Sequence, residues 1–141
     1  MNQDLYKARI ILSEGVNTCV LCQGSHTIRC TARGVRPLVD LLQEGIDEGF
    51  SAADKVVGKA TAFLYVLLKV RAVYAPVMSR PAIQVLQDHG IEIFYDIAVD
   101  AIFNRDRSGF CPMETAVREI SDPVLARDAV LETLKNGIHR K

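Results

Sequence analysis

The run Ala60-Thr61-Ala62-Phe63-Leu64-Tyr65-Val66-Leu67-Leu68 constrains the fold of this 141-residue chain more than any other segment. Read as a helix it is apolar on all sides, so it has no face to offer water and must lie inside the protein. It is too short to span a bilayer, which takes about 20 residues. Upstream, Ser51-Ala52-Ala53-Asp54-Lys55-Val56-Val57-Gly58-Lys59 extends the helical pattern and predicts a helix start at Ser51. Ser51-x-x-Asp54 has nearly the spacing of a capping box, in which hydroxyl and acid satisfy free backbone N–H groups. A buried helix that begins with an acid, two lysines and a glycine begins at a cleft or at the surface.

The rest of the chain supplies layers to cover such a helix. Hydrophobic residues are 49% and charged residues 24%, a globular composition compatible with one domain over residues 1–141. Leu5, Ala8, Ile11 and Leu12 have helical spacing. Thr18–Cys22 and Thr27–Thr31 read as strands of a hairpin turning at Gly24-Ser25. Pro37 opens a helix that closes at Gly45. Ala72–Val77 and Ile91–Tyr95 read as strands around a helix over Ala82–Asp88, a parallel crossover unit. Ile97–Phe103 reads as helical, Asn104–Phe110 as a loop, and Pro112 and Pro123 each start a helix. Together they predict a three-layer α-β-α domain on a mixed sheet of about four to five strands.

Lys plus Arg equals Asp plus Glu, 17 each, so no global field draws nucleic acid or anionic membrane, and aromatics at 6% form no stacking row. No basic region followed by an apolar run opens the chain, and the reading is a cytoplasmic protein with reduced cysteines.

The strand and helix order, with a buried helix after an initial hairpin, resembles the cytidine deaminase-like fold. That family carries a His- or Cys-Ala-Glu motif at the buried helix and Pro-Cys-x-x-Cys at the helix after the third strand, which together hold zinc and shuttle a proton. Here Ala52-Ala53-Asp54 takes the first position, with Asp54 in place of the Glu, and Pro76–Ala82, including Ser79, takes the second without a cysteine. The resemblance therefore implies the fold without its metal ligands. Thr18–Cys22, Arg33–Leu38, Gly49–Ala60 and Cys111-Pro112-Met113-Glu114 are similar as a set to a family of uncharacterised microbial proteins of this fold, domain of unknown function 1893.

Two residues are candidates for chemistry. Cys111 precedes Pro112 at a helix N-cap, where free N–H groups stabilise a thiolate; the plainer role is a packed cap. Asp54 is a candidate proton carrier; the plainer role is the capping acid. Around them Arg36, Ser51, Lys55, Lys59, Ser79 and Arg107 are candidate ligand contacts. Lys55 and Lys59 stack on one helix face, while Arg33, Gly34 and Arg36 form a cationic turn. Gly58, mid-helix, suggests close approach of a backbone or ligand. Cys19-x-x-Cys22 lies within a strand, so its thiols point to opposite faces, and Cys19 falls across from Cys30 beside Leu21 and Ile28. These features predict a cleft for an anionic or nucleotide-like small molecule, with no metal and no cofactor. The alternatives are a non-catalytic metabolite sensor that forms homo-oligomers, or a zinc hydrolase recruiting Cys19, Cys22, Cys30 or Cys111.

Overall fold

The computed structural model describes residues 1–103, 109 and 111–139. Helix α1 (Gln3–Ser13) starts where Asn2 accepts the Leu5 N–H on its side-chain oxygen at 2.7 Å. Strands β1 (Cys19–Gln23) and β2 (His26–Cys30) form the expected antiparallel hairpin, in the register that sets Cys19 across from Cys30 and Gln23 across from His26. Gly24 takes φ +57° in the two-residue turn, a conformation that costs glycine little. Helix α2 (Arg36–Glu44) carries Pro37 in its first turn, as expected.

The segment after α2 departs from the expected helix. Ser51–Asp54 is strand β3 and Val56–Val57 is strand β4, and the buried helix α3 spans only Lys59–Leu68. Alanine favours helices by at most a few tenths of a kcal/mol per residue over most alternatives, roughly, and that preference yields to a ladder on both sides. β3 pairs antiparallel with β1 and parallel with β5 (Ala72–Ser79), and it is buried on both faces: Ala52 packs into one core and Ala53 into the other. The Ser51–Asp54 capping box is thus absent. Ser51, fully buried, donates instead to the Asn2 side-chain oxygen at 3.2 Å. Lys55 sits between two strands and Lys59 opens α3, so the two do not stack on a helix face. Gly58 is the N-cap of α3 rather than an interior residue.

β4 continues along the side of β5 that β3 occupies, in the same register offset: Ser51 faces Ala72 and Val56 faces Val77. The break falls level with Pro76, which has no N–H to give, and the Lys55 N–H donates to the Thr18 carbonyl at 3.2 Å. Helix α4 (Arg80–Asp88) leads into β6 (Glu92–Val99), which pairs parallel with the full length of β5. Ile97–Val99 therefore extend a strand where a helix was expected, because Val77, Met78 and Ser79 provide the ladder for them. Helices α5 (Pro112–Val117) and α6 (Pro123–His139) start at their prolines as expected. The six-stranded mixed sheet, one strand beyond the expected range because the segment read as a helix start supplies both β3 and β4, runs β2, β1, β3 with β4, β5, β6.

Two cores flank this sheet. Leu5, Ala8, Ile11 and Leu12 of α1 cover Val20, Cys22, Ala53 and Tyr74 on one face. The other helices cover the opposite face, with Phe63, Leu64 and Tyr65 of α3 each at most 1% exposed. Each such side chain contributes about 1.5–3 kcal/mol by leaving water. No helix among the described residues is long and apolar enough to cross a membrane.

A buried helix start must find partners for its free N–H groups, and Gly58 has no side chain to offer. Glu114 of α5 provides them: its two carboxylate oxygens accept from the Lys59 N–H at 2.7 Å and the Ala60 N–H at 2.9 Å. A Cβ at Gly58 would overlap that carboxylate. The Gly58 backbone itself is extended, at φ −99° and ψ −178°, so the requirement for glycine is steric alone. Glu114→Ala is expected to cost about 2 kcal/mol of stability, as is Gly58→Ala. In the double variant the Gly58→Ala cost is expected to fall below about 0.5 kcal/mol, since the group it displaces is gone. Urea unfolding of the four proteins checks this; additive costs would mean that Gly58 serves something other than Glu114.

Candidate functional site

At the end of the sheet where β1 begins and β3 ends lies a cleft of about 460 Å³. Thr18, Cys19 and Asp54 line it from the sheet, Gly58, Ala60 and Thr61 from the start of α3, and Cys111, Met113 and Glu114 from the α5 region. Arg33, Gly34 and Lys55 contribute from the connecting loops, where both cationic side chains are exposed. Cleft and sheet are related as in open α/β domains generally, where crevices form at the carboxyl ends of parallel strands.

Asp54 is an acid strongly altered by its place at the cleft. Its Oδ2 accepts a hydrogen bond from the Tyr65 hydroxyl at 2.7 Å. Burial pushes its pKa up to about 7, although the Tyr65 hydroxyl and the backbone N–H groups of Val56 and Lys55 pull the other way. Tyr65, fully buried on α3, has its own hydroxyl pKa raised well above the usual range by burial and by the Asp54 charge. Cys19 lies directly across from Asp54 in the β1–β3 register and across from Cys30 in the hairpin. The neighbouring Cys30 thiol, burial and the Asp54 charge push the Cys19 pKa far up, while the Cys19 thiol lowers that of Cys30. A carboxyl that titrates near neutrality, hydrogen-bonded to a phenol and open to a cleft, is equipped to take up or release a proton at physiological pH.

Of the residues singled out by sequence, Asp54, Lys55 and Cys111 meet at this cleft. Cys111 occupies the N-cap of α5 as expected, but its side chain makes no capping hydrogen bond, and the helix is six residues long. Arg36 is exposed at the start of α2 and does not line the cleft; its neighbours Arg33 and Gly34 do. Ser51 is buried away from it. Lys59 turns aside, donating from Nζ to the Arg118 carbonyl at 2.9 Å and lying 5.7 Å from the centre of the Phe63 ring. Ser79 caps α4, accepting the Ala82 N–H at 3.2 Å, and lines an adjoining groove. Arg107 lies outside the described residues.

Tyr65 and Glu114 escape sequence reasoning. Tyr65 is one more large residue in an apolar helix, and only its hydroxyl marks it: a buried phenol requires a partner. Glu114, two residues into a helix, has the ordinary position of an acid favoured by its own helix dipole; nothing local says that it caps another helix.

The chain's donor set does not fit the zinc that a deaminase-like fold implies. Ala52 stands at the ligand position, buried in β3; Cys19 and Cys22 face different cores. Among the described residues no group of three or more His, Cys, Asp or Glu is placed to hold a metal ion.

The pKa of Asp54 has a consequence for stability. Below about pH 4 the folded and unfolded chains both hold this proton. As pH rises toward 7 the unfolded chain releases it first, so folding loses stability until the native carboxyl ionises as well. Asp54→Asn is expected to flatten this decline and to be on the order of 2 kcal/mol more stable than the parent protein at pH 8. Urea unfolding from pH 4 to 8 measures it, and parallel profiles would mean that Asp54 titrates like an exposed acid.

No curated protein matches this chain at a significant level. The crystal structure of a DUF1893 family protein (TM1506) from Thermotoga maritima superimposes with a TM-score of 0.81 at 24% sequence identity, over 96% of this chain and 92% of that one. A likeness at that identity establishes the fold. The family model for a domain of unknown function, DUF1893, matches residues 7–134, and the chain belongs to this family.

Proposed function

We propose that the cleft binds a small anionic, nucleotide-like molecule and that Asp54 exchanges a proton with it. The observation that carries this reading is the Asp54 carboxyl, held by Tyr65 with a pKa of about 7 on the wall of a cleft whose other contributors include two cations. Arg33 and Lys55 would hold the anionic group, and Gly34, with φ +70° and open space where a Cβ would stand, lets it approach the backbone. Thr61 and the thiol of Cys111 border the same volume and would meet the rest of the molecule. The deaminase-like resemblance places a proton-shuttling acid near the buried helix, and Asp54 serves that role from the end of β3 rather than from the helix itself. Hydrolysis through zinc is no part of this reading, since the donor set does not fit the metal.

Thermal unfolding with nucleoside 5′-monophosphates, the parent nucleosides and inorganic phosphate tests the proposal. A monophosphate at 100-fold excess over its Kd is expected to raise Tm by roughly 5–10 °C. Arg33→Ala and Lys55→Ala are each expected to weaken binding about tenfold, the loss of roughly 1.4 kcal/mol of charge-assisted contact. Affinity should change between pH 6 and 8 in both proteins, because the phosphate ionises near pH 6, and the parent protein should show an added change near pH 7 that Asp54→Asn lacks. Absence of stabilisation by every compound, or stabilisation indifferent to Arg33 and Lys55, would overturn the reading.

A further inference from the structure

We infer that Cys19 and Cys30 form a redox-responsive thiol pair, closing to a cross-strand disulfide at the wall of the cleft when a hydroperoxide reaches them. The two are register partners on β1 and β2, and both side chains pack into the same core. Side chains directly opposite in antiparallel strands have Cβ atoms about 4.5–5.5 Å apart, whereas a disulfide takes about 3.5–4.5 Å. Closure therefore needs a small inward movement of two strand residues and no rearrangement of the fold. Access is graded. Cys30 lies on β2, the outermost strand on its side of the sheet among the described residues, and is half-buried; Cys19 is 3% exposed and lines the cleft. Cys22 offers the contrast: it faces the other core, with Thr27 across from it and no thiol opposite.

The chemistry balances with a hydroperoxide as the named oxidant. The Cys30 sulfur, as thiolate, attacks the terminal oxygen of the peroxide; the O–O bond breaks, giving a Cys30 sulfenic acid and an alcohol or water. The neighbouring Cys19 thiol favours the thiolate at Cys30, the more accessible of the two. The Cys19 sulfur then attacks the sulfenic sulfur, the S–S bond forms, and hydroxide leaves with the Cys19 proton as water. Two thiols are oxidised by two electrons, the peroxide is reduced, and an added dithiol reverses the change.

The bond would brace the approach to the cleft. Cys30 ends β2, and the chain from it runs through residues 31–32 to Arg33 and Gly34. A covalent tie at Cys30 fixes the base of that loop to β1. This effect on ligand binding rests on the function proposed above, whereas the formation of the bond does not.

The test treats the reduced full-length chain with a slight excess of hydrogen peroxide, alkylates the remaining thiols with iodoacetamide, and maps the peptides by mass spectrometry. Trypsin cleavage after Arg29 separates Cys30 from the peptide that carries Cys19 and Cys22, so a link between the two peptides is diagnostic, and fragmentation assigns the sulfur. Two of the four thiols are expected to resist alkylation, with Cys19 joined to Cys30, and dithiothreitol should restore both. Cys22→Ser and Cys111→Ser are expected to give the same link, and the oxidised chain should melt several degrees higher. Alkylation of all four thiols after peroxide, a link from Cys19 to Cys111 or from Cys30 to Cys22, or oxidation of Cys30 beyond the sulfenic acid without a link would each overturn the inference. The parent-protein map needs no variant to fold and no ligand to bind, so a negative result here and a failure of the nucleotide-like ligand are separate findings.

Discussion

A helix covered on every side has to hand its first amides to another part of the protein, and in this fold that demand is met by one carboxylate from a different helix. Glu114 reaches from α5 to the Lys59 and Ala60 N–H groups, and it can do so because residue 58 has no side chain. Water cannot replace it cheaply at a buried terminus, since an unpaired buried donor costs about 1–3 kcal/mol. The contact also does more than cap. It pins α5, and with it Cys111 and Met113, against the start of α3, so that the sheet end, the helix start and α5 enclose one volume between them. The cleft is in this sense a by-product of capping α3 from outside.

The same arrangement sets the environment of Asp54, the acid that the sheet brings to the cleft. β3 must end where the chain turns toward α3, and the last residue of a strand buried on both faces has its side chain only partly free of the core. An ionised carboxylate there is compensated by the Tyr65 hydroxyl and by the nearby Val56 and Lys55 backbone N–H groups, and together they fall short of offsetting burial. The exposed Lys55 next to it in sequence is no remedy, because a solvated ammonium group screens itself with water. A neutral polar residue would satisfy Tyr65 at lower cost at neutral pH. An acid at this position therefore lowers stability at neutral pH, and that cost is the physical ground on which the proposed role of Asp54 rests.

What could be read beforehand follows from how local each signal is. The hairpin, with its register and the opposition of Cys19 to Cys30, depends on a two-residue turn and a period of two, both contained within about a dozen residues. The helix starts at Pro112 and Pro123 rest on single residues that fix φ. Ser51–Asp54 failed for the opposite reason: its strand state is imposed by β1 and β5, about 30 residues before and 20 after it, and its alanines fit a strand only because both faces are crowded. Ile97–Val99 failed likewise, since the ladder that extends β6 belongs to the far half of β5. At the site, Asp54, Lys55 and Cys111 were legible as residue types next to element boundaries. Tyr65 and Glu114 were not, because each acts on a partner separated from it in sequence.

The misread helix start bears on how the resemblance to deaminases should be used. Aligning Ala52-Ala53-Asp54 with a metal-and-acid motif assumed that all three residues face one cleft from the first turn of a helix. In a strand, neighbours alternate: Ala53 faces α1, while Ala52 and Asp54 face the helical layer. No substitution at position 53 could then place a ligand in the cleft, and one at Ala52 would bury a donor in the core formed by α3. A zinc site laid out as in that motif would need donors at the α3 and α4 starts, where Lys59 and Ser79 already have partners. What converges on the cleft is instead the Asp54 carboxyl, backed by the buried Tyr65 hydroxyl, with the Cys19 and Cys111 residues on its lining, and none of these depends on a donor at position 52 or 53.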